Sequence, residues 1–463
     1  MKFKLIVISI FLTLFVSGCS FIGFDIQELM RPPRPVGDEA EIQKVIESST
    51  NGYTFKYPQR GNYKSAVIMK DIDRDGKDEA IAFYNTKNSQ QNENMNIMII
   101  DQDEEGWHKN SSFSNLATNV DKVCFGKLKN DNTMAIIVGW NGYNGMESRI
   151  TVFKYIDGEV KALDLDYNYY DFVVEDFDAD GLCEIFLIGP SSKDNKDKIS
   201  SCILIKNSEQ SGKLHNVGQI ELNCEFLGCS NIKYGYIFEG QLGVVIDGEK
   251  AGNKKMTQLI YWNKEKSILS APLYQSELDT LNQRNTNIFS CDINNDGIIE
   301  IPINVPMMGY LSDNLSDIAT KEDESYSYDM CYITQWNQYN LSLNKYIYVS
   351  DTVFNYEEGY YFEIPKTWEN SVTALIDKED RSLTFSEWVI NDDGVGAVGA
   401  AILKIKTLTQ TEWDKLSNEI NDFYKICELD GIVYVAQIPE ENFEYSLNIN
   451  QVIEGFNILK NCD

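Results

Sequence analysis

Three short stretches hold the residues best suited to chemistry. Residues 71–79 read DIDRDGKDE, residues 176–184 read DFDADGLCE, and residues 292–300 read DINNDGIIE. Each places a side-chain oxygen at positions one, three and five, glycine at six and glutamate at nine. Alternating acids turn several oxygens inward over a short loop, and Gly76, Gly181 or Gly297 permits the change of backbone sign that closes it. Three readings compete. A calcium ion takes six to eight hard oxygen ligands at about 2.3–2.6 Å, whereas magnesium prefers a near-octahedral shell and dehydrates reluctantly. General acid–base catalysis would instead need two carboxylates with opposed pKa values flanking a substrate. A solvated Asp/Asn/Gly turn would do no chemistry. Three copies in phase favour the metal, because no unique catalytic pair stands out and like charges this close would otherwise repel and partly protonate.

The elements that position these loops are read from the spacing between them. Aligning Ile72, Leu128, Phe177, Leu227 and Ile293 gives steps of 56, 49, 50 and 66 residues, the mark of a repeated supersecondary unit. Inside one step, RITVFKY (149–155), EVKALDL (159–165), DFVVEDF (171–177) and EIFLIG (184–189) alternate with turns. Similar strand-like runs recur at 96–100, 202–205, 257–262 and 331–336. Four strands per step with no crossover helices predict a mainly β fold, a β-propeller of five to seven blades, over residues 51–367. YTFKYP (53–58) is expected to join the final blade and close the ring. Residues 368–463 are expected to form a small α+β domain or cap. There TQTEWDKLSNEINDFYKI predicts a helix, with Thr409 and Glu412 as a capping box and Trp413, Leu416, Ile420 and Tyr424 on one face. NINQVIEGFNIL predicts a last helix.

Over roughly residues 55–360 the repeats resemble the FG-GAP or VCBS repeats of integrin-like β-propellers and bacterial surface proteins. The resemblance implies a ring of four-stranded blades with calcium in loops of the type Asp-x-Asp-x-Asp-Gly-x-x-Asp. It assigns as ligands Asp71, Asp73, Asp75 and Glu79; Asp176, Asp178, Asp180 and Glu184; and Asp292, Asn294, Asp296 and Glu300. The backbone carbonyls of Lys77, Leu182 and Ile298 would each add an oxygen, for up to three Ca2+ ions. This chain departs from the pattern in its final glutamate and in lacking the Phe-Gly signature in most repeats. The segments around Gly126 and Phe226 also lack the acidic ladder, and are expected to hold no metal.

The N-terminus sets the compartment. Lys2 and Lys4 precede an apolar run from Leu5 to Val16, followed by VSGCS. The run is too short for a bilayer core of about 30 Å and reads as a signal segment. Its end resembles the lipobox of bacterial lipoproteins, which implies cleavage after residue 18, a diacylglyceryl group on Cys19, and a lipidated tether over 19–50. The protein is thereby expected at the cell membrane, anchored through acylated Cys19 on the extracytoplasmic face. The formal charge of −30 becomes −32 once Lys2 and Lys4 are removed. Such an acidic surface speaks against nucleic acid as a partner and suits divalent cations. The remaining cysteines, Cys124, Cys183, Cys202, Cys224, Cys229, Cys291, Cys331, Cys427 and Cys462, are odd in number and scattered, unlike a disulfide framework. Cys224 and Cys229 are near enough in sequence to invite a pair, whose geometry the sequence leaves open.

Other candidates are weaker. His108 and His215 are the only histidines; both read as exposed turn residues outside any nucleophile elbow or zinc motif. The loop GWNGYNGMES (139–148) carries Trp140, Tyr143 and Met146, which either pack against the next blade or anchor a partner. Residues 311–329 read as an acidic insertion. Two functions stay in contention. One is a surface-anchored binding or scaffold module for a protein or glycan. The other is an extracytoplasmic hydrolase acting on envelope or carbohydrate substrates, for which no motif supplies an acid and base.

Overall fold

The computed structural model describes residues 37–86, 94–131, 133–143, 146–156, 158–190, 200–208, 211–222, 228–274, 276–309, 328–392, 394, 396–419, 422–439 and 444–459. Cys19 and nearly all of the 311–329 insertion lie outside them. The chain divides into two compact units, residues up to 125 with 132–165, and residues 126–131 with 166–463. The described strands form six antiparallel sheets of four to six strands.

The first unit is built on two sheets. In the first, strands Tyr53–Phe55, Glu79–Thr86, Asn94–Asp103 and Gly106–Leu116 lie in that order, and Val67–Lys70 also pairs with Glu79–Thr86. The second runs Asn119–Gly126, Ala135–Asn141, Arg149–Ile156 and Glu159–Asn168. Strand Glu79–Thr86 is apolar from Ala80 to Tyr84 because both its faces are covered. Ile81 and Phe83 pack with Ile97, Val138 and Trp140, while Ala80, Ala82 and Tyr84 meet Ile42 and Ile46 of helix Asp38–Ser49. A strand buried on both sides loses the alternation that a half-exposed one shows.

Tyr53–Phe55 does not extend a final sheet, as expected from the sequence, but pairs within the first, with Tyr53 opposite Thr86 and Phe55 opposite Tyr84. Val67–Lys70 spans only Glu79 to Ala82 on the same edge. Two short strands therefore share one long edge and leave little of its backbone unpaired.

The second unit holds four sheets. The third runs Asp171–Glu175, Glu184–Pro190, Ser200–Asn207 and Leu214–Glu221, and the fourth Gly228–Phe238, Gln241–Lys250, Lys254–Asn263 and Ile268–Ser270. Phe186, Ile188 and Leu204 of the third share a core with Val244, Ile246 and Ile260 of the fourth. Asp247 of strand Gln241–Lys250 meets Arg284 at 2.8 Å, both fully buried. Thr257, Ser290 and Asn231 satisfy the rest of the carboxylate.

The fifth sheet runs Ile301–Pro306, Tyr332–Asn340, Lys345–Asn355 and Tyr360–Glu363, and the chain returns to it through Phe456–Ile458. The sixth contains Tyr328–Met330, Val372–Asp377, Ser382–Ile390, Gly396–Thr409, Ile432–Gln437 and Phe423–Leu429. Val353, Tyr360 and Phe362 share a core with Phe385, Leu403 and Ile405.

The helix expected over 409–426 stops earlier, as Gln410–Glu419, and its Thr409–Glu412 capping box forms. Tyr424 instead lies on strand Phe423–Leu429, hairpinned to Ile432–Gln437 through Asp430 and Gly431, at φ 50° and 80°. Positive φ at both turn residues matches the right-handed twist of two paired strands. The last expected helix is shortened likewise to Ile449–Gly455 before the chain becomes strand. No helix among the described residues is long and apolar enough to cross a membrane.

Candidate metal centres

Each acidic ladder is an eight-residue connection between antiparallel segments, and its glutamate begins or immediately precedes the outgoing strand. Lys70 pairs with Glu79 and Glu175 with Glu184, while Cys291 bridges to Glu300. The three loops then repeat one hydrogen-bond scheme. The amide of position two donates to the glutamate, Ile72 to Glu79 Oε2 at 2.7 Å, Phe177 to Glu184 Oε2 at 2.9 Å and Ile293 to Glu300 Oε2 at 2.9 Å. The glycine amide donates to the first aspartate, from Gly76 to Asp71 at 3.2 Å, from Gly181 to Asp176 at 2.9 Å and from Gly297 to Asp292 at 2.9 Å. Lys77, Leu182 and Ile298, the residues expected to offer carbonyls, donate their amides to Asp75, Asp180 and Asp296 at 2.8, 2.9 and 2.8 Å.

Two backbone positions per loop carry positive φ. The glycines have 95°, 87° and 87°, as their residue type predicts. Position four does the same with Arg74, Ala179 and Asn295 at 63°, 51° and 60°. An L-residue other than asparagine or aspartate adopts that region at a cost, so the loop conformation overrides local preference at Arg74 and Ala179.

The outcome is three carboxylate clusters, Asp71 with Asp73 and Glu79, Asp176 with Asp178 and Glu184, and Asp292 with Asp296 and Glu300. In each the ligand atoms lie within 4.8 Å of one another, close enough to hold a divalent cation. The glutamates are almost wholly buried, at 1, 0 and 0 % exposure. Burial pushes the Glu79 and Glu184 carboxyls up to about 7 and raises Glu300. At Glu79 the neighbouring Asp73, Asp101 and Asp71 add to the rise, against the Ile72 amide. Asp73 is raised too, first by desolvation.

The loops differ in what faces the glutamate from the next strand. Ala80 pairs with Ile100, Ile185 with Ile205 and Ile301 with Asn337. One residue further along, Glu79, Glu184 and Glu300 therefore meet Asp101, Lys206 and Gln338. In the first loop this adds a further carboxylate, and Asp71 Oδ1 and Glu79 Oε1 are buried without a hydrogen-bond partner, as are Asp178 Oδ1 and Glu184 Oε1 in the second. The first loop's donor set, all oxygen and undercompensated, fits a hard divalent cation. In the second loop the Lys206 ammonium lies 2.5 Å from Asp178 Oδ2, 2.6 Å from Asp180 Oδ2 and 3.0 Å from Glu184 Oε1. Although burial alone would raise Asp180, the Lys206 hydrogen bond and the Leu182 amide hold it low. In the third, the Gln338 amide donates to Asp296 Oδ2 at 2.8 Å and Glu300 Oε1 at 2.7 Å. None of Asp101, Lys206 and Gln338 was singled out from sequence.

The secondary candidates settle as packing or surface. Trp140, 2 % exposed, lies on strand Ala135–Asn141, packs edge-on to Phe83 and donates Nε1 to Thr151 Oγ1 at 3.0 Å. Met146 is exposed. His108 and His215 lie on strands rather than turns, His108 3.6 Å from Asp103. Cys183, Cys202, Cys229 and Cys427 are free thiols. Cys183 is half-buried, and burial raises its pKa, as for a thiol packed as a small hydrophobe.

No family model matches the chain, and no curated protein matches it. A solved structure described as "Structure of Dos1 propeller" aligns with 82% of this chain and 68% of that chain, at 8% identity and a TM-score of 0.31. A likeness of that strength carries no argument about this chain.

Proposed function

We propose that this chain is a lipid-anchored protein of the extracytoplasmic membrane face, whose sheets form an FG-GAP/VCBS-like β-propeller, stiffened by calcium, that serves as a binding or scaffold module for a protein or glycan. One observation carries the calcium part. Glu79 is buried to 1 % exposure with Oε1 unpartnered, among Asp71, Asp73 and Asp101. A buried carboxylate without a partner is costly, and a divalent ion on Asp71, Asp73 and Glu79 would remove that cost. Calcium would act there as a structural clip and not as a reagent. The anchor rests on the VSGC pattern ending at Cys19, and the binding role on rigid sheets joined by exposed loops.

The first test is a calcium titration followed by thermal melting of the full chain. Saturation at a hundred times Kd raises stability by about 2.7 kcal/mol; identical melting in calcium and in chelator would remove the metal from the proposal. For the anchor, Cys19→Ala should release the protein from the membrane fraction and abolish incorporation of labelled fatty acid. Retention of both sinks that part.

A further inference from the structure

We propose that Lys206 is a built-in counter-cation of the second acidic loop, its ammonium standing where a divalent ion would sit, so that this loop is set without metal. The inference rests on the metal reading of the ladders but predicts the opposite behaviour for one of them. The geometry is that of an ion in its shell. An ammonium has three N–H donors and no acceptor, and this one has three carboxylate oxygens within reach at 2.5, 2.6 and 3.0 Å, from Asp178, Asp180 and Glu184. Two of those separations fall within calcium–oxygen distances of about 2.3–2.6 Å, so the nitrogen and a metal cannot share the space. Admitting a metal would require the lysine to swing out and forfeit two charge-assisted hydrogen bonds, to Asp178 and Asp180, and its ion pair with Glu184.

The placement is set by the sheet. Strand Ser200–Asn207 pairs with Glu184–Pro190 with Ile205 opposite Ile185, which brings Lys206 over Glu184. The side chain is only 23 % exposed, so it is held in the cluster and not merely near it. At the same register the first loop presents Asp101, of opposite charge, and the third the neutral amide of Gln338. Three loops with one backbone scheme thus carry three different charges at the position that faces the glutamate, and that residue decides which of them recruits an ion.

Equilibrium dialysis of calcium against the full chain, wild type and Lys206→Gln, with melting in calcium and in chelator, tests this. The variant should bind one equivalent more than wild type, lose it again when Asp176→Asn is added, and gain a calcium-dependent rise in melting temperature. Equal stoichiometry in the two proteins overturns the proposal, and so does loss of a wild-type equivalent on Asp178→Asn. A Lys206→Gln protein that is unfolded in chelator and folds in calcium supports it, whereas one that is unfolded in both overturns it. The first loop is read separately through Asp71→Asn. A wild type that binds no calcium beside a variant that binds one refutes the first-loop site and leaves Lys206 in its role.

Discussion

Replacing Glu79 by glutamine should stabilise the protein in chelator and destabilise it in calcium, relative to wild type in each case. The carboxyl is 1 % exposed and its pKa stands at about 7 against a reference of 4.5, raised by desolvation and then by Asp73, Asp101 and Asp71. An acid whose folded pKa lies above its unfolded value contributes stability that is fully present below the unfolded pKa and is lost as pH rises through the folded one. The metal-free wild type should therefore weaken from pH 5 to pH 8 by an amount on the order of 3 kcal/mol from this group alone. Glutamine keeps an oxygen for the Ile72 amide, which Glu79 Oε2 accepts at 2.7 Å, and carries no charge to desolvate. Its pH profile in chelator should lack that share of the decline. In calcium the order reverses, because the variant gives up a charged ligand. The assay is urea denaturation at several pH values between 5 and 8, with calcium and with chelator. A variant less stable than wild type in both media, or a wild-type profile in chelator that rises with pH by the same amount as the variant's, would refute the electrostatic account of this loop.

Other perturbations probe the scaffold. Arg284→Met strips the partner from fully buried Asp247 and should cost about 3–5 kcal/mol in urea denaturation; a loss under 1 kcal/mol would show the pair to be dispensable. Gly297→Ala meets no atom within 4 Å but must hold φ near 87°, so about 1–2 kcal/mol should be lost from backbone strain alone, with Gly297→Asn losing less in the same melting assay. Thr409→Ala removes the cap of helix Gln410–Glu419, where Thr409 and Glu412 exchange hydrogen bonds at 3.3 and 2.7 Å, and should cost about 1 kcal/mol; an unchanged melting temperature would place the helix's stability in its packing.

Much of the fold was legible because periodicity survives on half-covered strands and because apolar runs such as AIAFY mark strands covered on both faces. The failures have common physical causes. Tyr53–Phe55 carries no label naming its partner strand, since a backbone edge will accept any strand and only the vacant length beyond Val67–Lys70 selects it. Tyr424 continued the helical spacing of Trp413, Leu416 and Ile420 by coincidence, and the Asp430–Gly431 pair directly before the next apolar run was the local signal for a hairpin. The loop conformation was half visible. Glycine announced the left-handed residue at position six, while Arg74 and Ala179 gave no sign that position four turns the same way.

The deepest gap lies between the ladder and its chemistry. Acids at positions one, three, five and nine look alike in Asp71 to Glu79 and Asp176 to Glu184, yet Asp101 makes the first cluster more anionic and Lys206 neutralises part of the second. Both follow their glutamate by 22 residues, while Gln338 follows Glu300 by 38. No motif confined to nine residues can contain that information. It enters through strand pairing, which turns a distant residue into the nearest neighbour of the glutamate, and a change of one residue in register would turn Lys206 to the other face of the sheet. The charge that faces each loop is therefore a property of its sheet, and the length of the next connection is as much a part of the cluster as the aspartates themselves.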